Sequence, residues 1–227
     1  MHRTESINCA LGMNKTSIKY ELQHILSGTL PDSEENVIGT ITNYLRRSKT
    51  TGGMVETEKQ FKIKETEELI SFINKNELWV TSINFDLYLS EGAEQRVYIK
   101  NEKTVYKLND SIYYTTWLDY FYNLLLNNYF FPDTAYKLIG FFQSPENILY
   151  ALVEQPYVKA NQITDLQFVR NFMKQNGFIN TRNNDYYNPD LGVILEDLHD
   201  ENVLTQNNML YFIDTVFYIK HDIFWEK

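Results

Sequence analysis

The sequence predicts an α+β protein with a helical beginning, a five-stranded antiparallel sheet carrying one helix, and a short, mostly helical end. Three observations predict this order. Apolar residues recur at helical spacing before about residue 80, follow a pattern of short strands and turns with one helix up to about residue 155, and return to helical spacing after Pro156. These changes of period divide the chain into residues 1–80, 81–155 and 156–227.

The composition is typical of a folded protein that has neither a membrane span nor a disulfide framework. Of the 227 residues 43% are hydrophobic and 15% aromatic, which can build a sizeable core. The net charge of −9 argues against binding to nucleic acid or anionic membranes, and the single cysteine, Cys9, indicates a reducing compartment. No apolar run approaches the roughly 18–20 residues of a membrane span. We therefore expect a soluble, cytoplasmic protein whose oligomeric state is unknown.

The first part of the chain is predicted to contain three helices. Apolar stripes place them at residues 17–28, 31–47 and 66–76. Acids in the first turn of the second helix suit the helix dipole, and residues 50–53 form a flexible break. This segment is either a packing or dimerisation appendage, or an element that binds a regulator or partner.

The middle of the chain is predicted to contain the sheet. The predicted strands are residues 83–89, 96–100, 104–108, 136–142 and 148–154, and the helix covers residues 115–128. Gly92 lies in the turn between the first two strands, and Pro132 ends the helical pattern. The last part then has a helix over residues 165–176, an Asn/Asp/Tyr-rich loop at residues 180–190, and an apolar run at 193–195.

A polar cluster follows that apolar run. Asp197 and Asn202 are five positions apart, and Asp214 lies twelve positions beyond Asn202. Two strands joined by a turn between Asn202 and Asp214 would bring these side chains together. Their oxygens suit Mg²⁺, which is usually held by one or two carboxylates plus substrate phosphates. The cluster therefore fits a magnesium site if the chain also binds a nucleotide.

The order of these parts resembles the protein-kinase-like fold, in both its protein kinase and aminoglycoside phosphotransferase branches. The shared features are a Gly turn, a lysine on the third strand, Asp-x-x-x-x-Asn, and an apolar strand ending in Asp. The resemblance covers about residues 80–215. It implies a minimal bilobal fold with an N-lobe at 81–155 and a truncated C-lobe, holding the catalytic loop, at 156–227. Five stretches are similar to the serine/threonine/tyrosine kinase domain of polyvalent proteins of phages and mobile elements in Bacteroidetes: residues 92–94 before 97–98, and residues 117–121, 128–132, 136–141 and 197–202.

The resemblance implies a phosphotransferase that uses ATP and Mg²⁺ and acts on a hydroxyl of an unknown protein or small molecule. It also implies a role for each candidate site residue. Asp197 would orient the attacking hydroxyl or accept its proton, Asn202 and Asp214 would hold the metal, Gly92, Ala93, Glu94 and Lys107 would bind phosphates, and Glu154 and Gln155 would lie in the adenine-binding hinge. His199 would contact phosphate or stabilise the loop.

Several residues depart from the kinase pattern. Leu195-Glu196 stands where protein kinases have His-Arg, and Thr215-Val216 replaces Phe-Gly. The pattern does not decide which acid pairs with Lys107, and Asp119 and Glu94 are the candidates. Because thirteen residues follow Asp214, we expect no activation segment after it. These departures favour a second interpretation, a pseudokinase-like module that binds nucleotide without turnover. A third is a toxin-like or anti-defence protein that acts by binding through its N-terminal helices.

Overall fold

The computed structural model describes residues 15–28, 37–49, 57–81, 83–92 and 95–226 of the chain. These residues form a mixed α/β fold with a five-stranded antiparallel sheet, in agreement with the predicted class. The helices are α1 (Lys15–Ser27), α2 (Val37–Lys49), α3 (Glu58–Lys75), α4 (Trp117–Phe130), α5 (Leu166–Gln175) and α6 (His221–Phe224). None of the described helices is both long and apolar enough to cross a bilayer.

Eleven strands complete the described part of the fold. They are β1 (Tyr88–Glu91), β2 (Gln95–Asn101), β3 (Thr104–Asn109), β4 (Lys137–Gln143), β5 (Leu149–Pro156), β6 (Ile179–Arg182), β7 (Asp185–Asn188), β8 (Val193–Glu196), β9 (Val203–Gln206), β10 (Met209–Phe212) and β11 (Val216–Ile219). The chain forms two compact units. The sheet unit comprises Ser27–Leu125 and Ala135–Tyr157, and the loop unit comprises Met1–Leu26, Leu126–Thr134 and Val158–Lys227.

The sheet unit is built on one antiparallel sheet with the strand order β1-β2-β3-β5-β4. The aromatic rings of Trp117 and Phe121 on α4 both pack against Phe141 of β4, with centroids 6.5 and 6.3 Å apart. Tyr98, Leu108, Tyr150 and Leu152 form a separate buried cluster. Strand β5, between β3 and β4, is buried along most of its length, so apolar residues surround the middle of the sheet.

Helices α2 and α3 pack against each other in the same unit. Their apolar stripes are buried, and the rings of Tyr44 and Phe72 lie 4.9 Å apart. Helix α3 begins at Glu58, eight residues before the predicted start at Thr66, because Thr57 and Gln60 form a capping box there. The predicted opening of the second helix at residues 31–35 and the break at residues 50–53 lie outside the described residues.

The first predicted strand is also shorter than expected. The Asn84 side chain accepts a hydrogen bond from the amide of Asp86 and begins a 3-10 turn over Phe85–Leu87. Strand β1 therefore covers only Tyr88–Glu91, and all four of its residues are exposed. The predicted half-buried strand at residues 83–89 is wrong in both extent and burial, because a local side-chain bond to the backbone competes with the sheet.

The loop unit contains strands where helices were expected. Its described residues after Pro156 include the ten-residue α5, the four-residue α6 and six strands. Strands β11, β8, β7 and β6 form one sheet, and β9 and β10 form a hairpin. The prediction of a mostly helical end is therefore wrong. At the expected loop of residues 180–190, Asn180 donates to the carbonyls of Asn183 and Asp185, which closes the β6–β7 hairpin.

Aromatic rings form the core of the loop unit. Phe131 stacks on Phe212 with a centroid distance of 4.0 Å, and Phe130 stacks on Phe217 at 5.5 Å. The hydroxyl of Thr134 donates to the Phe212 carbonyl at 2.6 Å in this core. These contacts hold the end of β10 and the start of β11, the two strands between which Asp214 lies.

Candidate functional site

The β9–β10 hairpin carries two of the predicted site residues at its open end. Val203 pairs with Phe212 in the hairpin, and the Ile213 amide donates to the Asn202 carbonyl at 2.9 Å. Asn202 and the residue before Asp214 are therefore backbone neighbours. The predicted pair of strands joined by a turn is present, and it closes the twelve-residue interval between Asn202 and Asp214.

Asp197 lies directly after β8 in an unusual backbone conformation. Its φ of +67° is in the left-handed region, which aspartate tolerates better than most residues. Its amide donates to Asp185 Oδ1 at 3.1 Å, and the next amide, of Leu198, donates to the Asn184 carbonyl at 3.2 Å. The Leu198 side chain is fully buried. The main chain is thus anchored on both sides of an exposed Asp197 carboxylate.

The Asn202 side chain is oriented by Asp197. Its Nδ2 donates to the main-chain oxygen and to Oδ2 of Asp197, each at 2.9 Å. The same nitrogen lies 3.1 Å from His199 Nε2, so the donor side of the Asn202 amide faces the loop. The carbonyl oxygen Oδ1 of Asn202 is then the atom that can bind a cation.

His199 stabilises the loop from within. Its Nδ1 accepts from the Glu201 amide at 3.3 Å, and its Nε2 lies 3.2 Å from Asp197 Oδ1. The same Nε2 lies 3.1 Å from Asn202 Nδ2, so the ring contacts both Asp197 and Asn202. The His199 carbonyl also accepts from the amides of Asn202 and Val203. Of the two roles considered for His199, these contacts favour loop stabilisation.

The donor set at this end of the hairpin fits Mg²⁺ better than a transition metal. Asn202 and the half-buried Asp214 offer hard oxygen atoms. Within the described ranges no group of three or more His, Cys, Asp or Glu could hold a metal by itself. A cation here would complete its coordination with oxygens from a bound ligand, as Mg²⁺ does with phosphates.

Glu196 adds negative charge beside Asp197. Burial raises the pKa of its carboxyl, and the nearby Asp185 and Asp197 raise it further. Burial and the two neighbouring carboxylates thus make ionisation of Glu196 less favourable than ionisation of an exposed glutamate. Glu196 occupies one of the two positions where protein kinases have His-Arg, so the loop carries an acid in place of a base.

Lys107 is buried in the sheet unit. Its side chain is 3% exposed, on β3 between Val97 of β2 and Val153 of β5. The ammonium nitrogen lies 5.5 Å from the centre of the Tyr136 ring, within cation–π range. A buried lysine is costly unless other groups compensate its charge, which distinguishes Lys107 from a solvated strand lysine.

The predicted hinge residues lie at the end of β5. Glu154 forms an ion pair with Lys100, and the Gln155 side chain is 1% exposed. Strand β4 begins at Lys137, which pairs with Glu154. The side chains of Glu154 and Gln155 are therefore engaged or buried, and adenine binding there would have to use backbone groups.

The glycine turn is only partly described. Gly92 is exposed, its amide donates to the Gln95 carbonyl at 2.9 Å, and a Cβ there would meet no atom within 4 Å. Ala93 and Glu94 lie outside the described residues. The fold itself therefore does not demand a glycine at position 92.

Two acids, Asp119 and Glu65, form hydrogen bonds at the start of α4. Asp119 Oδ2 accepts from the Thr116 hydroxyl at 2.7 Å, and the Asp119 amide donates back to the same hydroxyl at 3.0 Å. The buried Glu65 of α3 accepts from the amides of Trp117 and Leu118. Thr116 thus caps α4, and the carboxylate of Asp119, a sequence candidate for pairing with Lys107, binds the capping hydroxyl.

The family model for the serine/threonine/tyrosine kinase found in polyvalent proteins matches residues 62–221, more than half of the chain. The chain belongs to this family. No match to a curated protein or to a solved structure is found. The match begins within α3 and ends at the start of α6, so it includes both the sheet with Lys107 and the loop with Asp197.

Two residues of this polyvalent-protein kinase domain were not found from the sequence. Asp185 lay in a stretch interpreted as a loop, and it binds the Asp197 amide across twelve positions. Glu65 lay one residue before the predicted third helix, and it binds the α4 amides across more than fifty positions. Neither belongs to a motif. The one signal for Glu65 is the helical spacing of the apolar residues around it, which places Glu65 on the inward face of the helix.

Proposed function

We propose that the protein is an ATP- and Mg²⁺-dependent phosphotransferase that transfers the γ-phosphoryl group to a hydroxyl of a protein or small molecule. One observation carries the proposal. Asp197 and Asn202 are hydrogen-bonded to each other at the open end of a hairpin whose other strand leads to Asp214. Membership of a kinase family supports the same reaction class.

The residues of the loop unit would act on the hydroxyl and the metal. The acceptor oxygen forms a bond to the γ-phosphorus, the bond from that phosphorus to the bridging oxygen breaks, and ADP leaves. The hydroxyl proton passes to the exposed Asp197 carboxylate, which is oriented by His199 and Asn202. Asn202 Oδ1 and the Asp214 carboxylate would hold Mg²⁺, which when bound neutralises charge developing on the phosphate oxygens.

The residues of the sheet unit would bind the nucleotide. The Lys107 ammonium would neutralise phosphate charge, and its buried position would strengthen that attraction relative to water. The exposed backbone at Gly92 would approach the phosphates, since the absence of Cβ leaves the peptide accessible.

A direct test is incubation with Mg²⁺ and γ-labelled ATP. The wild type is expected to label itself or an added acceptor, or to hydrolyse ATP. Asp197→Ala is expected to lower the rate by about 10²–10⁴-fold through loss of the base, and Asp214→Asn is expected to lower it through weaker metal binding. Asp222→Ala is the control, because Asp222 is an exposed acid of the same unit. Equal activity in all four proteins would refute the assignment.

A second candidate is a pseudokinase-like module that binds nucleotide without turnover. The segment after Asp214 favours this candidate. Residues Val216–Ile219 form strand β11, which pairs with β8. In a protein kinase, a mobile activation segment follows the corresponding aspartate. Thermal stabilisation by Mg-ATP without label transfer or hydrolysis would support this candidate and reject the first. The absence of any nucleotide effect would reject both.

A further inference from the structure

The main chain at Asp197 needs support that the sequence pattern does not supply. The φ of Asp197 is +67°, a left-handed conformation that is disfavoured for residues other than glycine and persists where surrounding contacts hold it. The His-Arg pair that precedes this aspartate in protein kinases is replaced by Leu195 and Glu196. Some other group must therefore hold the backbone in this conformation.

Asp185 supplies that support. The β7–β8 ladder ends at the pair Tyr186–Leu195. Beyond this pair the Asp185 carboxylate accepts from the Asp197 amide at 3.1 Å, and the Asn184 carbonyl accepts from Leu198 at 3.2 Å. Two consecutive loop amides are thus bound by two consecutive residues at the start of β7.

Asp185 is itself held in place by the β6–β7 hairpin. Its carbonyl accepts from Asn180 Nδ2 at 3.0 Å and from the Thr181 hydroxyl at 3.2 Å. Its neighbour Tyr186 is 1% exposed. The carboxylate therefore projects from a backbone that is fixed on both sides, which suits a group that must hold another chain segment in register.

We propose that Asp185 is a positioning residue for the reaction, because its hydrogen bond to the Asp197 amide fixes the loop that presents the Asp197 carboxylate. The inference rests on the proposed phosphotransfer function and deepens it. Asp185 touches neither the acceptor nor the nucleotide in this role. Its effect passes through the backbone of Asp197, while His199 and Asn202 orient the side chain.

The test compares Asp185→Ala with Asp185→Asn. Alanine removes the acceptor, whereas asparagine keeps an acceptor oxygen at the same distance from the main chain. We expect Asp185→Ala to lower kcat by about tenfold to hundredfold, as a small displacement of a reacting group does, with KM for ATP changed less than about twofold. Asp185→Asn is expected to keep kcat within about threefold. Asp222→Ala serves again as the control.

Amide hydrogen exchange supplies a readout that is independent of turnover. The Asp197 amide is expected to exchange at least about tenfold faster in Asp185→Ala than in the wild type, and at the wild-type rate in Asp185→Asn. If Asp185→Ala does not fold, Asp185→Leu replaces it, since leucine fills the space without an acceptor.

Three results would overturn the inference: an unchanged kcat in Asp185→Ala, an equal loss of kcat in Asp185→Asn, or equal Asp197 exchange in every variant. If the wild type transfers no phosphate, the proposed function fails, and the exchange measurement alone decides whether Asp185 holds the loop.

Discussion

Removal of the Glu65 carboxylate should weaken the attachment of α3 to the start of α4. Glu65 is 4% exposed and accepts from the amides of Trp117 and Leu118, the latter at 3.3 Å. Thr116 accepts from the next two amides, through its hydroxyl for Asp119 and its carbonyl for Tyr120. The Tyr120 bond is the first bond within the helix. The amides of Trp117, Leu118 and Asp119, which lack partners within α4, are thus all satisfied, two of them by another helix.

The size of the effect follows from these two bonds. A hydrogen bond to a charged group contributes about 1.5–3 kcal/mol, and a carboxylate at a helix N-terminus also interacts favourably with the dipole. We expect Glu65→Ala to lower the free energy of unfolding by about 3 kcal/mol, the lower end for two bonds, because water can enter the vacated space. Glu65→Gln keeps one acceptor oxygen and should lose about half as much.

Thermal and denaturant unfolding measure this loss. For a chain of this size a loss of about 3 kcal/mol corresponds to a Tm decrease of roughly 6–12 °C. The control is Glu67→Ala, because Glu67 is an exposed glutamate of the same helix and should change stability by less than about 0.5 kcal/mol. A Glu65→Ala protein as stable as the Glu67→Ala protein would show that the contact does not hold α4.

Two further predictions concern a matched pair of glycines and a titrating acid. A Cβ on Gly140 would lie 2.5 Å from the Leu78 carbonyl oxygen. Gly140→Ala should therefore lower the free energy of unfolding, measured with denaturant, by about 1–3 kcal/mol. Gly92→Ala should change that free energy by less than about 0.5 kcal/mol and reduce only the stabilisation by Mg-ATP. Because the folded-state pKa of Glu196 is raised above its ordinary 4.5, the wild type should lose stability as pH rises from that value through the folded-state pKa. Glu196→Gln should abolish that loss, so the two unfolding curves should agree below about pH 4 and the variant should be more stable at pH 7. Equal losses for the two glycines, or parallel pH profiles, would contradict these expectations.

Much of the sheet unit could be predicted because its signals are local. Short strand-like segments separated by turn residues predicted β2 to β5 within one or two residues, and the spacing of Asn202 and Asp214 predicted the hairpin that joins them. These patterns work because a strand has a period of two residues and a short turn leaves few alternatives.

The errors arose where short polar segments make local bonds. Asn84 began a 3-10 turn where a strand was expected, and Asn180 closed a hairpin where a loop was expected. Asparagine favours turns of several kinds, so the composition of residues 180–190 did not distinguish an open loop from two short strands.

The sequence by itself determined the family, the sheet and the residue types that can act on a phosphate and a metal. Tertiary structure alone decided how those residues are supported. Asp185 meets the Asp197 amide from twelve positions away, and Glu65 meets α4 from more than fifty. Such bonds join backbone amides to distant side chains, and no periodicity or spacing records them, because their geometry exists only after both segments have packed.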